Sequence, residues 1–456
     1  MSEKIIAAIS TPRGVGGISV IRVSGKGSIS LCDGLFKAYR KNVTLSDLNG
    51  YTGCYGEIRV NDEIIDEVVC FVYRAPHSYT GEDVVEISCH GGMYITEKVL
   101  RAVLDAGAEP AQGGEFTKRA FLNGKMDLTQ AESVMDIISA RGEQSARAAL
   151  NARKGNTFKK VSAIKEKLIE TATHLAAWAD YPEEDVPEIT AEEVKSAVTD
   201  VIDTLDEVVK NYDNGKIMRD GVDTVIIGRP NVGKSTIMNL LAGCERSIVT
   251  DIEGTTRDII EEMVAIDDIL LKLSDTAGIR HTDNVIEKIG VDRTMDKLKS
   301  CGLAIAVFDN SSALTDYDIQ IIENLNGIPS IAIVNKTDLE NKLDVEFIKS
   351  KFSEVVLMSA KYDDDINNFK NTIKRVIHYQ KIDSNTVILA NARQRDKILK
   401  AKSGLYEVLD AINAGLTLDA VTVAIEYAID ELCELTGEKA SEQIINNIFE
   451  KFCVGK

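Results

Sequence analysis

Residues 228–236 read GRPNVGKST, between the apolar run TVII and the helical pattern IMNLLAG. G-x-x-x-x-G-K-S at a strand-to-helix junction is the spacing of a phosphate-binding loop. Gly228 and Gly233 let backbone N–H groups close on phosphate oxygens at a helix N-terminus. Lys234 brings a charge to the β- and γ-phosphate oxygens, and the Ser235 hydroxyl suits Mg2+. Asn231, Val232 and Thr236 complete the loop.

Three later motifs strengthen that reading, and two of them name the base. DTAG at 275–278 follows ILLKLS; Asp275 can hold Mg2+ through water, and beyond Thr276 and Ala277 the Gly278 N–H can reach the γ-phosphate. NKTD at 335–338 follows SIAIV. There the Asp338 carboxylate can accept from guanine N1–H and its 2-amino group, a pattern adenine lacks. Asn335 and the Lys336 stem complete that pocket. SAK at 359–361 follows a last strand, with the Ala360 N–H towards guanine O6 between Ser359 and Lys361. Each alone is an ordinary turn, whereas all in order, each after a strand, specify a guanine nucleotide. TDIEGTTRD (250–258) is the switch loop: Thr250, Asp251, Ile252, Glu253, Gly254 and Thr255 lead to Thr256, whose hydroxyl suits Mg2+. Ile279 follows DTAG where a water-orienting glutamine would stand. Hydrolysis then needs another group: Arg280, Glu287, or a cation near Asn231.

These loops need a parallel sheet. Between about 216 and 380, the runs TVIIG, ILLKLS, LAIAVF, SIAIVN and EVVLMS alternate with helical patterns, which predicts strands covered on both faces. Residues 1–120 mix short β-rich runs with a helical pattern, MYITEKVLRAVLDAG, and predict an α/β or α+β domain, here taken as α+β. Apolar residues at helical spacing fill 121–215 and return over 381–456. The expected architecture is therefore multidomain: an α+β N-terminal domain, an all-α domain split in sequence, and an inserted Ras-like P-loop domain.

With 456 residues, 44% hydrophobic and 27% charged, the chain is too long for one core and reads as globular. No apolar run spans a bilayer and MSEKIIAAIS reads as a strand, so no membrane association and a cytoplasmic location are expected. Its formal charge of −19 means that nucleic acid needs a local basic patch or a basic partner. Eight cysteines without a C-x-x-C pair signal neither zinc nor disulfides, and Cys89-His90 reads as packing.

GRPNVGKS, TDIEGTTRD, DTAGIR, NKTD and the terminal FCVGK together resemble the MnmE (TrmE) family of tRNA modification GTPases. TPRGVGGISVIRVSG, PHSYTGEDVVEISCHGG and GGEFTKRAFLNGKMDLTQAE extend the likeness to the whole chain. The resemblance implies a homodimer with a folate-binding N-terminal domain. It implies K+-stimulated GTP hydrolysis and a hetero-oligomeric complex with MnmG, which brings FAD and NADH. That complex modifies C5 of the wobble uridine of certain tRNAs with a one-carbon unit from 5-formyl- or methylene-tetrahydrofolate. By the same resemblance, Asn231, Thr250, Ile252 and Thr255 surround K+, and Ser235 and Thr256 hold Mg2+. Glu287 orients the attacking water, with Lys234 and Arg280 also catalytic. Arg22, Glu86, Lys125 and Lys456 contact folate, and Cys453 belongs to the terminal motif. Val454 stands where isoleucine is usual.

Without that pattern Arg22 and Lys125 read as solvated charges, Glu287 as an ordinary helix residue, and Trp178 as core. Residues 144–164 carry Arg147, Arg153, Lys154, Lys159 and Lys160 with no acidic residue. The run reads equally as a tRNA or MnmG contact and as a solvated helix. A GTP-dependent assembly factor without chemistry of its own is the competing function; it would favour a basic C-terminal module, and this C-terminus is acidic and helical. The ending KFCVGK fits a prenylation box poorly. It is either a frayed end or a docked one, with Lys456 rather than the Cys453 thiol as the candidate group.

Overall fold

The computed structural model describes residues 4–140, 142–180, 189–244, 261–267, 269–275, 298, 301–362, 365–377 and 389–456. Met1–Met135, Ala152–Asp203 and Asp396–Lys456 form one compact unit, and Asp136–Asn151 with Thr204–Arg395 form another.

The first unit contains a seven-stranded sheet: β1 (Ile6–Ile9), β2 (Ile18–Ser24), β3 (Phe36–Ala38), β4 (Thr52–Val60), β5 (Glu63–Tyr73), β6 (Val84–His90) and β7 (Glu109–Pro110). The order is β3-β4-β5-β6-β2-β1-β7, and all pairs are antiparallel except β1 with β7. Asn61 and Asp62, both at positive φ (49° and 64°), make the two-residue turn joining β4 to β5. On β5 the side chains alternate: Val68, Cys70 and Val72 are buried, while Glu67 and Phe71 are exposed. The buried face packs on Val99 and Val103 of helix Met93–Asp105 and on Ile29 and Cys32 of helix Ser28–Asp33. Cys89 lies in this core, and its neighbour His90 pairs with Asp66, Nδ1 to Oδ1 at 2.6 Å. On the other face Ile6 and Ala8 meet Phe116 of helix Glu115–Leu122.

The helical texture after residue 121 resolves into helices Leu128–Ser139, Glu143–Arg153 and Asn156–Asp180. Gly155, at φ 81°, makes the second break, where Gln130 Nε2 donates to the freed Arg153 carbonyl at 3.0 Å. Helix Asn156–Asp180 packs on Leu418–Thr436. Lys165 there reaches Glu438 at 2.5 Å, and Lys397 of helix Ala392–Asn413 meets Glu431 at 2.9 Å. Such largely buried cations persist because each has its carboxylate. Trp178 is half-buried rather than core, so a wide indole at a helix position is no guarantee of enclosure. Among the described residues, no helix is long and apolar enough to cross a membrane.

The second unit contains a six-stranded sheet: β8 (Val222–Ile227), β9 (Glu261–Ile266), β10 (Ile269–Asp275), β11 (Leu303–Asp309), β12 (Ser330–Asn335) and β13 (Val355–Leu357). The order is β13-β12-β11-β8-β10-β9, parallel except for the β9–β10 hairpin. Residues alternate between two cores: Ile226, Ile305, Val307 and Ile333 face one side, and Val225, Ala304, Phe308 and Val334 the other. From β8 the chain builds outward in both directions, so the loop after β8 lies at the switch point where α/β sheets receive ligands.

Candidate nucleotide site and terminal cradle

Among the described residues, three motif loops follow the carboxyl ends of strands β8, β12 and β13 of this sheet. The first follows β8 and enters helix Lys234–Cys244 at Lys234. Two residues in it hold positive φ: Asn231 at 64° and Gly233 at 103°. Space as well as conformation demands glycine here. A Cβ on Gly233 would lie 2.2 Å from Asn335 Nδ2, and one on Gly228 would lie 2.5 Å from the Val307 carbonyl oxygen. Lys234 Nζ folds back on the loop, donating to the Gly228 and Arg229 carbonyls at 2.7 Å each. Ser235, Thr236 and Asn231 are exposed. Arg229 points away from the loop, with Nε 3.0 Å from Asp318 Oδ2 and Nη2 donating to Ser312 Oγ at 2.9 Å.

Asn335 ends β12 and is nearly buried. Its Nδ2 donates to the Val232 carbonyl at 2.8 Å, and its Oδ1 accepts from the Ala360 N–H at 3.0 Å. One carboxamide thus ties the phosphate loop, the NKTD loop and the SAK loop together. The Ala360 N–H, expected to face guanine O6, is engaged by this strut. Asp338 is exposed, and one of its oxygens accepts from the buried Ser359 hydroxyl at 2.7 Å, which fixes its direction. Lys336, at φ 64°, pairs with Asp309 at 2.5 Å, and Lys361 is exposed. A cavity of about 860 Å3 opens at the opposite, amino ends of these strands, beside Ser330, Phe352 and Glu354; it belongs to no motif loop.

The other unit holds a second constellation, made where the two ends of the chain meet. Arg22 on β2 stands directly opposite Glu86 on β6, and its Nε donates to Glu86 Oε1 at 2.9 Å. Tyr73 donates to the other carboxylate oxygen at 3.3 Å. The guanidinium lies 5.2 Å from the Tyr79 ring centre and 5.6 Å from that of Phe116. The chain's last residues dock against this group. Phe449 and Phe452 are buried with Ala120, Leu128 and Ala131, and Val454 bridges to Gly113. Gly455, at φ 96°, is buried, and its carbonyl accepts from Ser10 Oγ at 3.0 Å and from Arg22 Nη1 at 3.4 Å. Half-burial, reinforced by the Arg22 charge, holds the Lys456 ammonium below its ordinary pKa, against the pull of Glu86 and Cys453. Cys453 serves through its carbonyl, which accepts from the Gly114 N–H at 3.3 Å, while its side chain is exposed. Lys125 donates to the Pro76 carbonyl at 2.9 Å.

Two family models match the sequence: "GTP-binding protein TrmE N-terminus" over residues 5–125 and "MnmE helical domain" over residues 128–453. The tRNA modification GTPase MnmE of Clostridioides difficile is 38% identical over 457 residues, covering 100% of this chain and 99% of that one. Its counterpart from Thermoanaerobacter pseudethanolicus is 40% identical over 456 residues, covering 99% of each. The chain belongs to the MnmE family of tRNA modification GTPases. The G domain of the T. maritima FeoB iron transporter aligns over 34% of this chain and 98% of that one, at 24% identity and a TM-score of 0.26.

As an MnmE-family member the chain is a GTP hydrolase that acts in tRNA modification. Of its sequence-predicted site residues, the fold brings together Asn231 to Thr236, Asn335, Lys336, Asp338, Ser359 and Ala360, with the backbone of Asp275 in the same sheet. Thr250, Asp251, Ile252, Glu253, Gly254, Thr255, Thr256, Thr276, Ala277, Gly278, Arg280 and Glu287 lie outside the described residues. Arg22 and Glu86 pair, and the half-buried Lys456 ammonium feels the charge of both; Lys125 is fixed to the neighbouring 76–81 loop. Sequence reasoning passed over Arg229, Asp309 and Asp318. The one signal for Asp309 is an aspartate closing an otherwise apolar strand, LAIAVFD.

Proposed function

We propose that the chain is a K+-stimulated GTPase that, with the FAD- and NADH-using MnmG, modifies C5 of the wobble uridine of certain tRNAs. The group added is aminomethyl or carboxymethylaminomethyl, and a tetrahydrofolate derivative supplies the one-carbon unit. The observation that carries this is identity of 38% to 40% running the full length of family members, N-terminal domain and terminal motif included.

In this reading the triphosphate lies along Asn231–Thr236, and Lys234 exchanges two backbone carbonyls for phosphate oxygens. That exchange suits a lysine, a flexible point charge. Asp338, already aimed by Ser359, accepts from guanine. On the phosphate loop the exposed Ser235 hydroxyl and the exposed Asn231 carboxamide oxygen suit Mg2+ and K+ respectively. Thr256 would complete the Mg2+ set, and Thr250, Ile252 and Thr255 the K+ set. Arg280 and Glu287 would serve hydrolysis, Glu287 orienting water in place of the missing glutamine. In the terminal cradle Arg22, Lys125 and Lys456 offer cations for folate carboxylates, and Glu86 an acceptor for pterin N–H groups. The domains would run 1–120, 121–215, 216–380 and 381–456, with the first making a homodimer. A cytoplasmic location goes with the tRNA substrate.

Nucleoside analysis of tRNA from a strain lacking the gene tests this: wobble uridines should lose the C5 group, and an unchanged profile would refute it. For the cation, replacing K+ by Na+ should slow GTP turnover steeply in the wild type and have no further effect in Asn231→Ala.

A further inference from the structure

Asp309 lies outside every motif, yet it holds the base loop. It closes β11, and its Cα stands in register with Asn335 on β12. One carboxylate oxygen takes the Lys336 ammonium at 2.5 Å; the other accepts from Ser311 N at 2.9 Å and Ser311 Oγ at 2.7 Å. Both oxygens are therefore engaged, and the carboxylate cannot rotate without losing a bond. Burial pushes this carboxyl up, but the bonds from Lys336 and Ser311 outweigh it and leave it below its ordinary pKa.

Lys336 needs such a hold. At φ 64° its backbone is in the left-handed region, which non-glycine residues keep only where the surroundings enforce it. The neighbours do enforce it: the Asn310 N–H donates to the Asn335 carbonyl at 2.9 Å and the Leu339 N–H to the Lys336 carbonyl at 3.0 Å. These bonds fix the main chain, and a lysine stem left to itself would still sample many rotamers.

We propose that Asp309 is a positioning residue for guanine nucleotides: by holding the Lys336 ammonium, it lays the lysine stem in place as a wall of the base pocket before the nucleotide arrives. This rests on the reading of NKTD as the guanine pocket. A wall ordered in advance spares the nucleotide the entropy of ordering it, so the gain falls on binding.

The test is nucleotide affinity of the full chain, with fluorescent GDP and GTP analogues and an adenine control. Asp309→Ala should weaken both guanine nucleotides about tenfold, the scale of one lost charge-assisted hydrogen bond. The loss should appear in KM for GTP rather than in kcat. Asp309→Asn, which keeps the shape and the Ser311 bonds, should recover part of it and serves if the alanine variant misfolds. Lys336→Met should lose as much as Asp309→Ala, and the double variant no more than either. Additive losses, or wild-type affinity in both Asp309 variants, would overturn the proposal. A wild type that does not prefer guanine over adenine would defeat the pocket reading itself.

Discussion

The nucleotide loops lie at the carboxyl ends of one sheet's strands and the terminal cradle on a face of the other sheet, and the two are assembled over different distances along the chain. Each described nucleotide loop is the direct continuation of its own strand, so strand and loop are adjacent in sequence. The cradle joins Ser10 and Arg22 to Gly455, contacts 445 and 433 residues apart in sequence. The first site gains its precision from parallel strands of one sheet; the second needs the packing of Phe449, which ends helix Glu442–Phe449, and of Phe452 beyond it. Loss of a few terminal contacts should therefore open the cradle and leave the nucleotide loops intact, whereas the nucleotide loops should fail together.

The largest effect is expected at Gly233. A methyl group there meets Asn335 Nδ2 at 2.2 Å on a backbone with φ 103°, so Gly233→Ala disturbs the phosphate loop and the strut to the base loop at once. GTP turnover should fall by roughly two orders of magnitude or more, the cost of strain and of a displaced site. Near-normal turnover in a steady-state assay would show that the two loops are not coupled through Asn335.

Next comes the cradle. A Cβ on Gly455 would lie 2.3 Å from the Ile9 carbonyl oxygen, and the residue sits at φ 96°. Gly455→Ala should undock the tail at a cost of about 1–3 kcal/mol. Hydrogen exchange should quicken at Gly114, whose N–H the tail carbonyl accepts. GTP turnover should change less than twofold while binding of a folate analogue is lost. Equal loss of both activities would break the contrast between the sites.

What could be read in advance follows the same division. The strands before GRPNVGKS, DTAG, NKTD and SAK are legible because each motif is contiguous and its chemistry requires a strand before it. The folate roles proposed for Arg22, Glu86 and Lys456 rest only on the family resemblance, and nothing local to Arg22 marks Glu86 as the residue that stands opposite it. Asn335 was read as a base contact, yet the fold uses both ends of its carboxamide as a strut, a role decided by three loops at once. Asp309 and Asp318 gave little sign because each finds its cation on another element. Gly155 interrupts the helical pattern where Gln130 waits for the freed carbonyl, a contact that helical periodicity does not encode.

The smallest expected effect is a pH dependence in the N-terminal sheet. The hydrogen bond and charge of Asp66 raise the His90 pKa above its ordinary value of 6.5. A raised value means that the pair's stability is fully present below about pH 6.5 and is lost as pH rises through the folded value. The difference in denaturation midpoint between wild type and His90→Gln should thus be measurable at pH 5.5 and vanish by about pH 9. A difference that grows with pH would reverse the assignment.

The most direct measurement of the guanine site is a change of base at Asp338. Its carboxylate is already oriented by Ser359, so Asp338→Asn alters the hydrogen-bond pattern offered to the base and little else. Hydrolysis by the full chain should then be lost with GTP at ordinary concentrations and regained with xanthosine triphosphate, whose 2-oxo group suits the new amide. Undiminished GTP hydrolysis in Asp338→Asn would contradict the assignment of these loops as the site where the nucleotide is read.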